Sequence, residues 1–289
     1  KGRKQKTTAL YDRFVNQGAV MGDSFGLENV LWFANNKEDA HEEPTIKRSR
    51  SHDYVSKEVI NVRENVGLIE VANFSKHEFK GPDARKFLDH IMAGRLPKPG
   101  RISLSPMLSY RGKLCGDLTV ACLEQNEFMV FGSGAAQEMH RRWFESHLDK
   151  FNLSYSNRSD EYHGLSIAGP NSRKVLEKIV RDDVSNEKFK FRDSRRMFVG
   201  SVPAIINRIS FTGELGYEIY VAPHYQLKLY EELMEAGNEF NIKPFGGRAL
   251  MSMRLEKNWG AWTLDYRPDF TAKETGLDAF INWDKEFIG

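Results

Sequence analysis

The chain has 289 residues, of which 40% are hydrophobic and 28% charged, a composition typical of soluble globular proteins and long enough for about two domains. Its formal net charge of +2 is too small to indicate a nucleic-acid partner, and no apolar run approaches the ~18 residues of a membrane span. The start, KGRKQKTTAL, lacks the apolar centre of a signal peptide. We therefore expect no membrane partner and a cytoplasmic protein, or a mitochondrial matrix protein if the source is eukaryotic.

The predicted organisation begins with an irregular arm. Residues 1–34 mix glycine, asparagine and aromatic residues, and residues 35–58 are polar, with an acidic stretch followed by a basic one. Regular patterning starts at Val59. The predicted division is a connector or packing arm, then a first and a second half of one folded domain: 1–58, 59–158 and 159–289.

An internal repeat marks the two halves. GPDARKFLDHIM begins at Gly81 and GPNSRKVLEKIV begins at Gly169, 88 residues later. In both copies proline follows glycine, as in the first turn of a helix, and apolar residues recur at helical spacing. Strand-like segments precede and follow each copy, so the sequence predicts an α+β fold of pseudo-duplicated strand–helix units. Two further helices are expected at His224–Ala236 and Gly247–Lys257.

Several motifs lack the context that their chemistry needs. Gly22 to Gly26 matches the hydrolase nucleophile elbow, but no buried strand precedes it and no helix follows it. Gly132 to Gly134 lacks the third glycine of a dinucleotide loop, so no nicotinamide or flavin site is expected inside the chain. The eight histidines show no metal-ligand spacing, so no metal site is expected either.

The chain has two cysteines, Cys115 and Cys122, in one predicted strand. Seven residues of extended chain span ~23 Å, far beyond the ~7 Å between Cα atoms that a disulfide allows. We therefore expect two reduced thiols, which fit a reducing compartment.

The same strand, YRGKLCGDLTV, contains a carboxylate in an otherwise apolar pattern. Side chains alternate along a strand, so Leu118 and Val120 are expected on the core face and Asp117 and Thr119 on the opposite face. The strand alone leaves two possibilities for Asp117, a solvated surface position or the lining of a cavity.

Four segments together carry a family resemblance: VGLIEVANFSKHEFKGPDA (66–84), MLSYRGKLCGDLTV (107–120), RISFTGELGYEIYV (208–221) and GGRALMSMRLEKNWGAW (246–262). Their order and spacing resemble the folate-binding fold of the glycine-cleavage T-protein, an aminomethyltransferase. The resemblance is closer to the C-terminal tetrahydrofolate-binding portion of the dimethylglycine and sarcosine dehydrogenase family, and it extends from about Thr7 onward. It implies a T-protein-like fold that lacks the C-terminal barrel and the N-terminal FAD domain of those dehydrogenases.

The resemblance also implies a reaction. The chain would accept the one-carbon iminium or methylene product of N-methyl amine oxidation on tetrahydrofolate, giving 5,10-methylenetetrahydrofolate. FAD is then expected in a missing N-terminal domain or in a flavoprotein partner, and the methylated amine stays open. The alternative is a non-catalytic regulatory or scaffold relative of the same fold. Nucleic-acid binding rests only on the pI of 8.4 and the basic residues 47–50, and is weak.

Four residues match the family's folate site. Asp117 corresponds to its aspartate, whose carboxylate can orient a ring nitrogen and help to move a proton, which makes it the catalytic candidate. Glu214, in FTGELGY, offers two acceptor oxygens to pterin N–H groups, and otherwise caps a turn. Tyr217 either stacks on the pterin or fills the core. Arg248, at the start of the R-x-x-x-x-R-x-E-K helix, can hold the tail carboxylates of folate, and otherwise lies on a helix surface.

Two departures separate the chain from the T-protein itself. Gly132 to Gly134 stands where the T-protein has an asparagine-containing turn, so no side-chain contact is expected from that turn. Ala249 follows Arg248 where the T-protein has an aspartate, as in the dehydrogenase branch. Direct glycine-cleavage activity is therefore less expected than the dehydrogenase-linked role.

Overall fold

The structure is a computed structural model that describes residues 3–289. Its α-helices are α1 (Tyr11–Asn16), α2 (Ser51–Glu64), α3 (Ala84–Ile91), α4 (Gln137–Glu145), α5 (Ser172–Ile179), α6 (Gln226–Gly237) and α7 (Gly247–Glu256). Its strands are β1 (Ala19–Ser24), β2 (Leu27–Phe33), β3 (Val66–Glu70), β4 (Phe74–Lys80), β5 (Arg101–Leu108), β6 (Leu114–Glu124), β7 (Glu127–Ser133), β8 (Ser154–Asn157), β9 (His163–Ala168), β10 (Ser194–Val199), β11 (Val202–Asn207), β12 (Gly216–Val221) and β13 (Ile242–Pro244).

The chain forms two compact units. Of the described residues, the first contains 3–73, 161–191 and 196–259, and the second contains 74–160, 192–195 and 260–289. The sequence-based boundaries after residues 58 and 158 stay a prediction.

The first unit contains a six-stranded sheet in the order β10-β11-β12-β9-β3-β13. β12 pairs antiparallel with β9, β9 antiparallel with β3, and β3 parallel with β13. One face of this sheet carries Ile167, Tyr217 and Ile219, which pack with Leu176 of α5 and Leu229 of α6 in one buried cluster. Helices therefore cover that face, and the predicted helices at 224–236 and 247–257 are confirmed as α6 and α7.

The second unit contains a five-stranded antiparallel sheet in the order β5-β6-β7-β4-β8. Leu118 and Val120 of β6 are fully buried in a cluster that includes Phe87 and Leu88 of α3 and Phe144 of α4. The apolar positions of each repeated helix thus supply the core of their own unit.

The two sheets repeat one strand order. In the second unit, β4 precedes the repeated helix in the chain, and β5, β6 and β7 follow it. In the sheet, β4 lies fourth, next to β7. In the first unit β9 takes the same position after β10, β11 and β12. The duplicated sequence therefore forms a duplicated topology, and the predicted pseudo-duplicated α+β fold is confirmed.

The turns before the repeated helices match in detail. Gly81 has φ +136° and Gly169 has φ +132°, a region that favours glycine. An added Cβ at Gly169 would lie 2.5 Å from the carbonyl oxygen of Asn65, and one at Gly81 would lie 2.9 Å from that of Asn152. Both glycines are therefore required by backbone conformation and by close backbone approach.

The N-terminal hairpin β1-β2 lies in the first unit beside α2. Glu58 of α2 accepts hydrogen bonds from the backbone N–H groups of Phe33 (2.7 Å) and Gly246 (3.0 Å), so it ties the hairpin to the start of α7. Burial raises the pKa of Glu58 to about 7, although both hydrogen bonds oppose that shift. The Gly22 to Gly26 motif covers the end of β1 and the turn into β2, without the strand–turn–helix context of a nucleophile elbow.

Candidate active site

Asp117 lies near the start of β6, opposite Pro106 of β5. Leu118 and Val120 are fully buried, whereas Asp117 and Thr119 are partly exposed on the other face, as the alternation predicts. Thr119 is in register with Phe131 of β7, and Phe131 with Lys76 of β4. The face that carries Asp117 therefore also carries the fully buried side chain of Lys76.

A β-bulge lies two residues before Asp117. Met107 pairs with Gly116 and Leu108 with Leu114, so Cys115 is an extra residue in β6. The carbonyl oxygen of Cys115 accepts a hydrogen bond from Nε2 of His140 at 2.9 Å. Because Nε2 donates, Nδ1 of the neutral ring carries the lone pair. His140 therefore fixes the irregular backbone that leads into Asp117.

The Asp117 carboxyl is only partly exposed, and no other side chain among the described residues compensates for its reduced contact with water. Within residues 3–289, no side chain donates a hydrogen bond to it, and only its own backbone N–H does so. Burial accordingly raises the pKa of Asp117 to about 7, with that single backbone hydrogen bond acting in the opposite direction. A carboxyl that titrates near neutral pH can both take up and release a proton.

Glu214 lies in the turn before β12 and is ion-paired inside its own unit. Its Oε1 accepts a hydrogen bond from Nη1 of Arg63 at 2.7 Å, and the same Nη1 donates to the carbonyl oxygen of Thr212 at 3.0 Å. Nη2 of Arg63 donates to Glu256 at 2.6 Å. No donor in the described part of the chain reaches Oε2 of Glu214, so one carboxylate oxygen stays available to a ligand.

Tyr217 is fully buried on the helix-covered face of the six-stranded sheet. Its ring stacks on Phe189 with centroids 5.9 Å apart and an interplanar angle of 10°. Burial also raises the pKa of Tyr217, although the charge of Arg173 lowers it in part. The geometry matches the core alternative given above, and its role in binding a pterin stays a prediction.

Arg248 lies in the first turn of α7, as predicted, and has two partners in the first unit. Nη1 donates to Oγ of Ser51 at 2.8 Å, and Nη2 forms a short ion pair with Glu42. Ser51 is the first residue of α2. The guanidinium group thus already holds one carboxylate.

Helices α2 and α7 run side by side, joined near both ends. Arg248 contacts Ser51 at their N-terminal ends, and Arg63 contacts Glu256 at their C-terminal ends. At 1.5 Å per residue, α7 rises about 12 Å between Arg248 and Glu256. Glu214 and Arg248 are therefore held at opposite ends of one helix pair, and a ligand that contacts both must be extended.

Sequence reasoning did not identify three of these residues, Arg63, Glu42 and His140. Arg63 and Glu42 lie within or beside the segment interpreted as a polar arm, where no motif distinguishes them. His140 is one of the eight histidines whose spacing indicates no site, but it is almost fully buried. Its position four residues before Phe144 on an amphipathic helix was the only available signal.

Other features of the described residues concern metals, thiols and membranes. No group of three or more metal-ligating side chains is present within residues 3–289. Cys115 and Cys122 are both free thiols, as their spacing predicts. No helix in the same range is long and apolar enough to cross a bilayer.

Comparison with solved structures defines the class of the fold. The glycine cleavage system aminomethyltransferase T from Bartonella henselae matches with a TM-score of 0.83 and 22% identity, over 99% of this chain and 73% of that chain. A chain of the heterotetrameric sarcosine oxidase from Corynebacterium sp. U-96 matches with a TM-score of 0.50 and 20% identity, over 68% of this chain and 97% of that chain. The fold is that of the aminomethyltransferase T-protein.

Sequence comparison then gives the family. Residues 10–285 match the GCVT N-terminal domain, and the chain belongs to that family. It is 34% identical to mitochondrial dimethylglycine dehydrogenase of Homo sapiens over 290 aligned residues, which cover 99% of this chain and 33% of the relative. It is 27% identical to an aminomethyltransferase of Desulfitobacterium hafniense strain Y51, over 98% of this chain and 73% of the relative.

These matches confirm the predicted family, including its closeness to dimethylglycine dehydrogenase. The chain is an aminomethyltransferase-like domain. It spans about a third of the length of the dimethylglycine dehydrogenases that it matches.

Proposed function

We propose that this chain is the tetrahydrofolate-binding module of a dimethylglycine or sarcosine dehydrogenase-like flavoenzyme, as part of that polypeptide or as a partner subunit. It accepts the one-carbon unit released by N-methyl amine oxidation and gives 5,10-methylenetetrahydrofolate. The observation that carries the proposal concerns the carboxyl of Asp117. No side chain among the described residues donates a hydrogen bond to it, and burial raises its pKa to about 7. It lies on the strand that matches the family's folate site.

The role of Asp117 follows from its proton affinity. Attack by a folate nitrogen on the iminium carbon places positive charge and a departing proton at that nitrogen. The second folate nitrogen then bonds to the same carbon, and the demethylated amine leaves with the proton of that nitrogen. A carboxylate beside the attacking nitrogen orients it, stabilises the charge and takes up the proton, and such assistance contributes about 10²–10⁴ in rate. Near neutral pH a substantial fraction of Asp117 is ionised and able to act as the base.

Glu214 and Arg248 serve in binding. Oε2 of Glu214 accepts from the pterin N–H groups while Arg63 holds Oε1 in place. Arg248 holds a tail carboxylate, which it can contact with two parallel N–H groups. The distance between the two along α7 suits an extended molecule with N–H donors at one end and carboxylates at the other.

The flavin lies outside this chain in the proposal, in an FAD domain or a flavoprotein partner that supplies the oxidation. The methylated amine is selected there. The two free thiols support a reducing compartment, the cytoplasm or the mitochondrial matrix of a eukaryote.

The second candidate function is a non-catalytic scaffold relative. The observation that favours it is that Glu214 and Arg248 already form ion pairs within the chain, as purely structural residues do. Asp117 does not fit this candidate, because a partly buried carboxyl without a side-chain partner lowers stability near neutral pH.

Anaerobic calorimetric titration of the chain with tetrahydrofolate tests the proposal. Micromolar binding, about −8 kcal/mol, is expected, and it should weaken in Glu214→Ala and Arg248→Ala. Asp117→Asn should bind almost normally and lose one-carbon transfer when the flavoprotein partner is added. Absence of binding by a folded wild-type chain would replace the proposal with the scaffold function.

A further inference from the structure

The Arg248 guanidinium is held by a carboxylate of the protein itself. Glu42 lies in the 34–50 loop, defined here as the segment between the end of β2 and the start of α2. One of its oxygens, Oε2, pairs with Nη2 of Arg248. The contact joins residues 206 positions apart in sequence, so it depends on the folded first unit.

The position of Glu42 is fixed by a second hydrogen bond. Its Oε1 accepts from the indole Nε1 of Trp32 at 2.6 Å, and Trp32 is almost completely buried. The Trp32 ring packs on Tyr54 of α2, with centroids 5.1 Å apart. The next residue, Glu43, pairs with Arg50 at 2.9 Å. The carboxylate of Glu42 is therefore anchored at Arg248 by the surrounding structure.

The Glu42–Arg248 pair remains accessible to solutes. The Arg248 side chain is 39% exposed and that of Glu42 is 34% exposed. Ion pairs with this exposure contribute about 0–1 kcal/mol, so an incoming carboxylate with additional contacts can displace Glu42. Ser51, which also binds Arg248, keeps the guanidinium in place during such an exchange.

We propose that Glu42 is an internal competitor for the carboxylate tail of folate at Arg248. The inference rests on the proposed function and adds a determinant of ligand selection to it. Binding of the tail exchanges one carboxylate for another on the same guanidinium group. Arg248 is thus never left without a counter-charge, and Glu42 lowers the affinity only for ligands that carry a tail carboxylate.

The test compares two ligands on three forms of the chain. Tetrahydrofolate carries the carboxylates of its benzoyl-glutamate tail, and 6-methyltetrahydropterin has the same pterin ring without that tail or any carboxylate. Glu42→Gln removes the competing charge but keeps an oxygen acceptor for Trp32. Glu43→Gln makes the same charge change at the adjacent position, which contacts Arg50 and not Arg248.

Calorimetry should show that Glu42→Gln binds tetrahydrofolate about threefold to fivefold more tightly than wild type, since about 1 kcal/mol corresponds to a fivefold change. The affinity for 6-methyltetrahydropterin should not change, and Glu43→Gln should match wild type with both ligands. In NMR spectra, the indole N–H resonance of Trp32, assigned with Trp32→Phe, should shift with tetrahydrofolate and not with 6-methyltetrahydropterin.

The possible failures can be told apart. Three results would contradict the competitor role while the proposed function stands, provided that wild type binds tetrahydrofolate. Glu42→Gln could bind tetrahydrofolate no more tightly than wild type, or it could bind both ligands more tightly by the same factor. Glu43→Gln could also show the same increase in affinity as Glu42→Gln. If the folded wild-type chain binds neither ligand, the proposed function fails and the competitor role fails with it.

Discussion

Arg63 and Glu214 form an ion pair of 2.7 Å in which only one oxygen of the carboxylate is engaged. The same guanidinium reaches the carbonyl oxygen of Thr212 and the carboxylate of Glu256, so it holds the turn before β12 against the ends of α2 and α7. A planar fork with several donors suits this task, and a lysine ammonium cannot reproduce it. Arg63 is thus a positioning residue for Glu214.

Arg63→Lys is expected to weaken tetrahydrofolate binding about fivefold while lowering the free energy of unfolding by at most about 1 kcal/mol, because the pairs that it breaks are partly exposed. Calorimetry and urea denaturation measure the two effects. Glu256→Gln, which removes only the outer pair, is the control and should bind nearly as wild type. Equal losses of affinity in the two variants would contradict the positioning role.

The start of α7 depends on a glycine that another backbone approaches closely. A Cβ at Gly246 would lie 2.2 Å from the carbonyl oxygen of Leu31 and 2.5 Å from the backbone nitrogen of Trp32. We expect Gly246→Ala to lower the free energy of unfolding by about 3 kcal/mol or more, because the hairpin or the helix must move. Thermal and urea denaturation give the change.

The adjacent glycine provides a matched control. At Gly247 the nearest atom to an added Cβ is the carbonyl oxygen of Val30 at 3.5 Å, an ordinary contact. Gly247→Ala should therefore leave stability unchanged or raise it by about 0.4–1 kcal/mol, through the lower entropy of the unfolded chain. Similar destabilisation by both substitutions would show that the close approach at Gly246 is not the cause.

The repeated halves were predictable from sequence because their signals are local. Gly81 and Gly169 mark turns with positive φ, and the apolar residues after them follow a helical period that tertiary structure leaves intact. The alternation around Asp117 is equally local, which is why its face was predicted before its surroundings were known.

Helix α2 shows why the partners of Glu214 and Arg248 could not be predicted from the sequence. Its buried face carries Glu58 and Asn61, whose side chains bind backbone groups of distant segments, so the apolar residues of the segment do not form a continuous helical stripe. Hydrophobic periodicity cannot detect a helix whose buried positions are polar and satisfied by tertiary hydrogen bonds. Arg63 and Ser51, the partners of Glu214 and Arg248, lie on this helix and were therefore missed.

Two buried histidines are expected to make the protein sensitive to acid. Burial lowers the pKa of His77 to about 3, with a smaller effect from the charge of His140, and burial lowers the pKa of His140 to about 4. Below the usual value of 6.5, the unfolded chain binds protons that the folded chain does not. Each histidine therefore costs about 1.4 kcal/mol of stability per pH unit as the pH falls from 6.5 towards its folded pKa.

Urea denaturation at pH 7.5 and pH 5 measures this loss. His140→Gln, whose amide N–H can still donate to Cys115, should reduce the difference in unfolding free energy between the two pH values by about 2 kcal/mol. His52→Gln changes an exposed residue of α2 and should leave the difference as in wild type. An unchanged difference in His140→Gln would mean that His140 is protonated in the folded protein at pH 5.

Asp117 should impose the opposite pH dependence. Burial raises its pKa from 3.8 to about 7, so between these values the folded chain holds a proton that the unfolded chain has lost. Its contribution to stability is present below pH 4 and disappears as the pH rises through 7. Asp117→Asn, which cannot ionise, should therefore raise the melting temperature at pH 8 and have a much smaller effect at pH 4.5.

The same substitution separates catalysis from folding. If Asp117 is the base, one-carbon transfer by wild type should rise with pH through about 7 as the carboxyl ionises, and the residual rate of Asp117→Asn should be flat there. Asp149→Asn, a change at an exposed residue of the same unit, should alter neither the melting temperature nor the pH profile. If Asp117→Asn raises the melting temperature at pH 8 and abolishes one-carbon transfer, Asp117 lowers the stability of the protein but is needed to move the proton. If Asp117→Asn raises the melting temperature and keeps full transfer activity, another group takes up the proton.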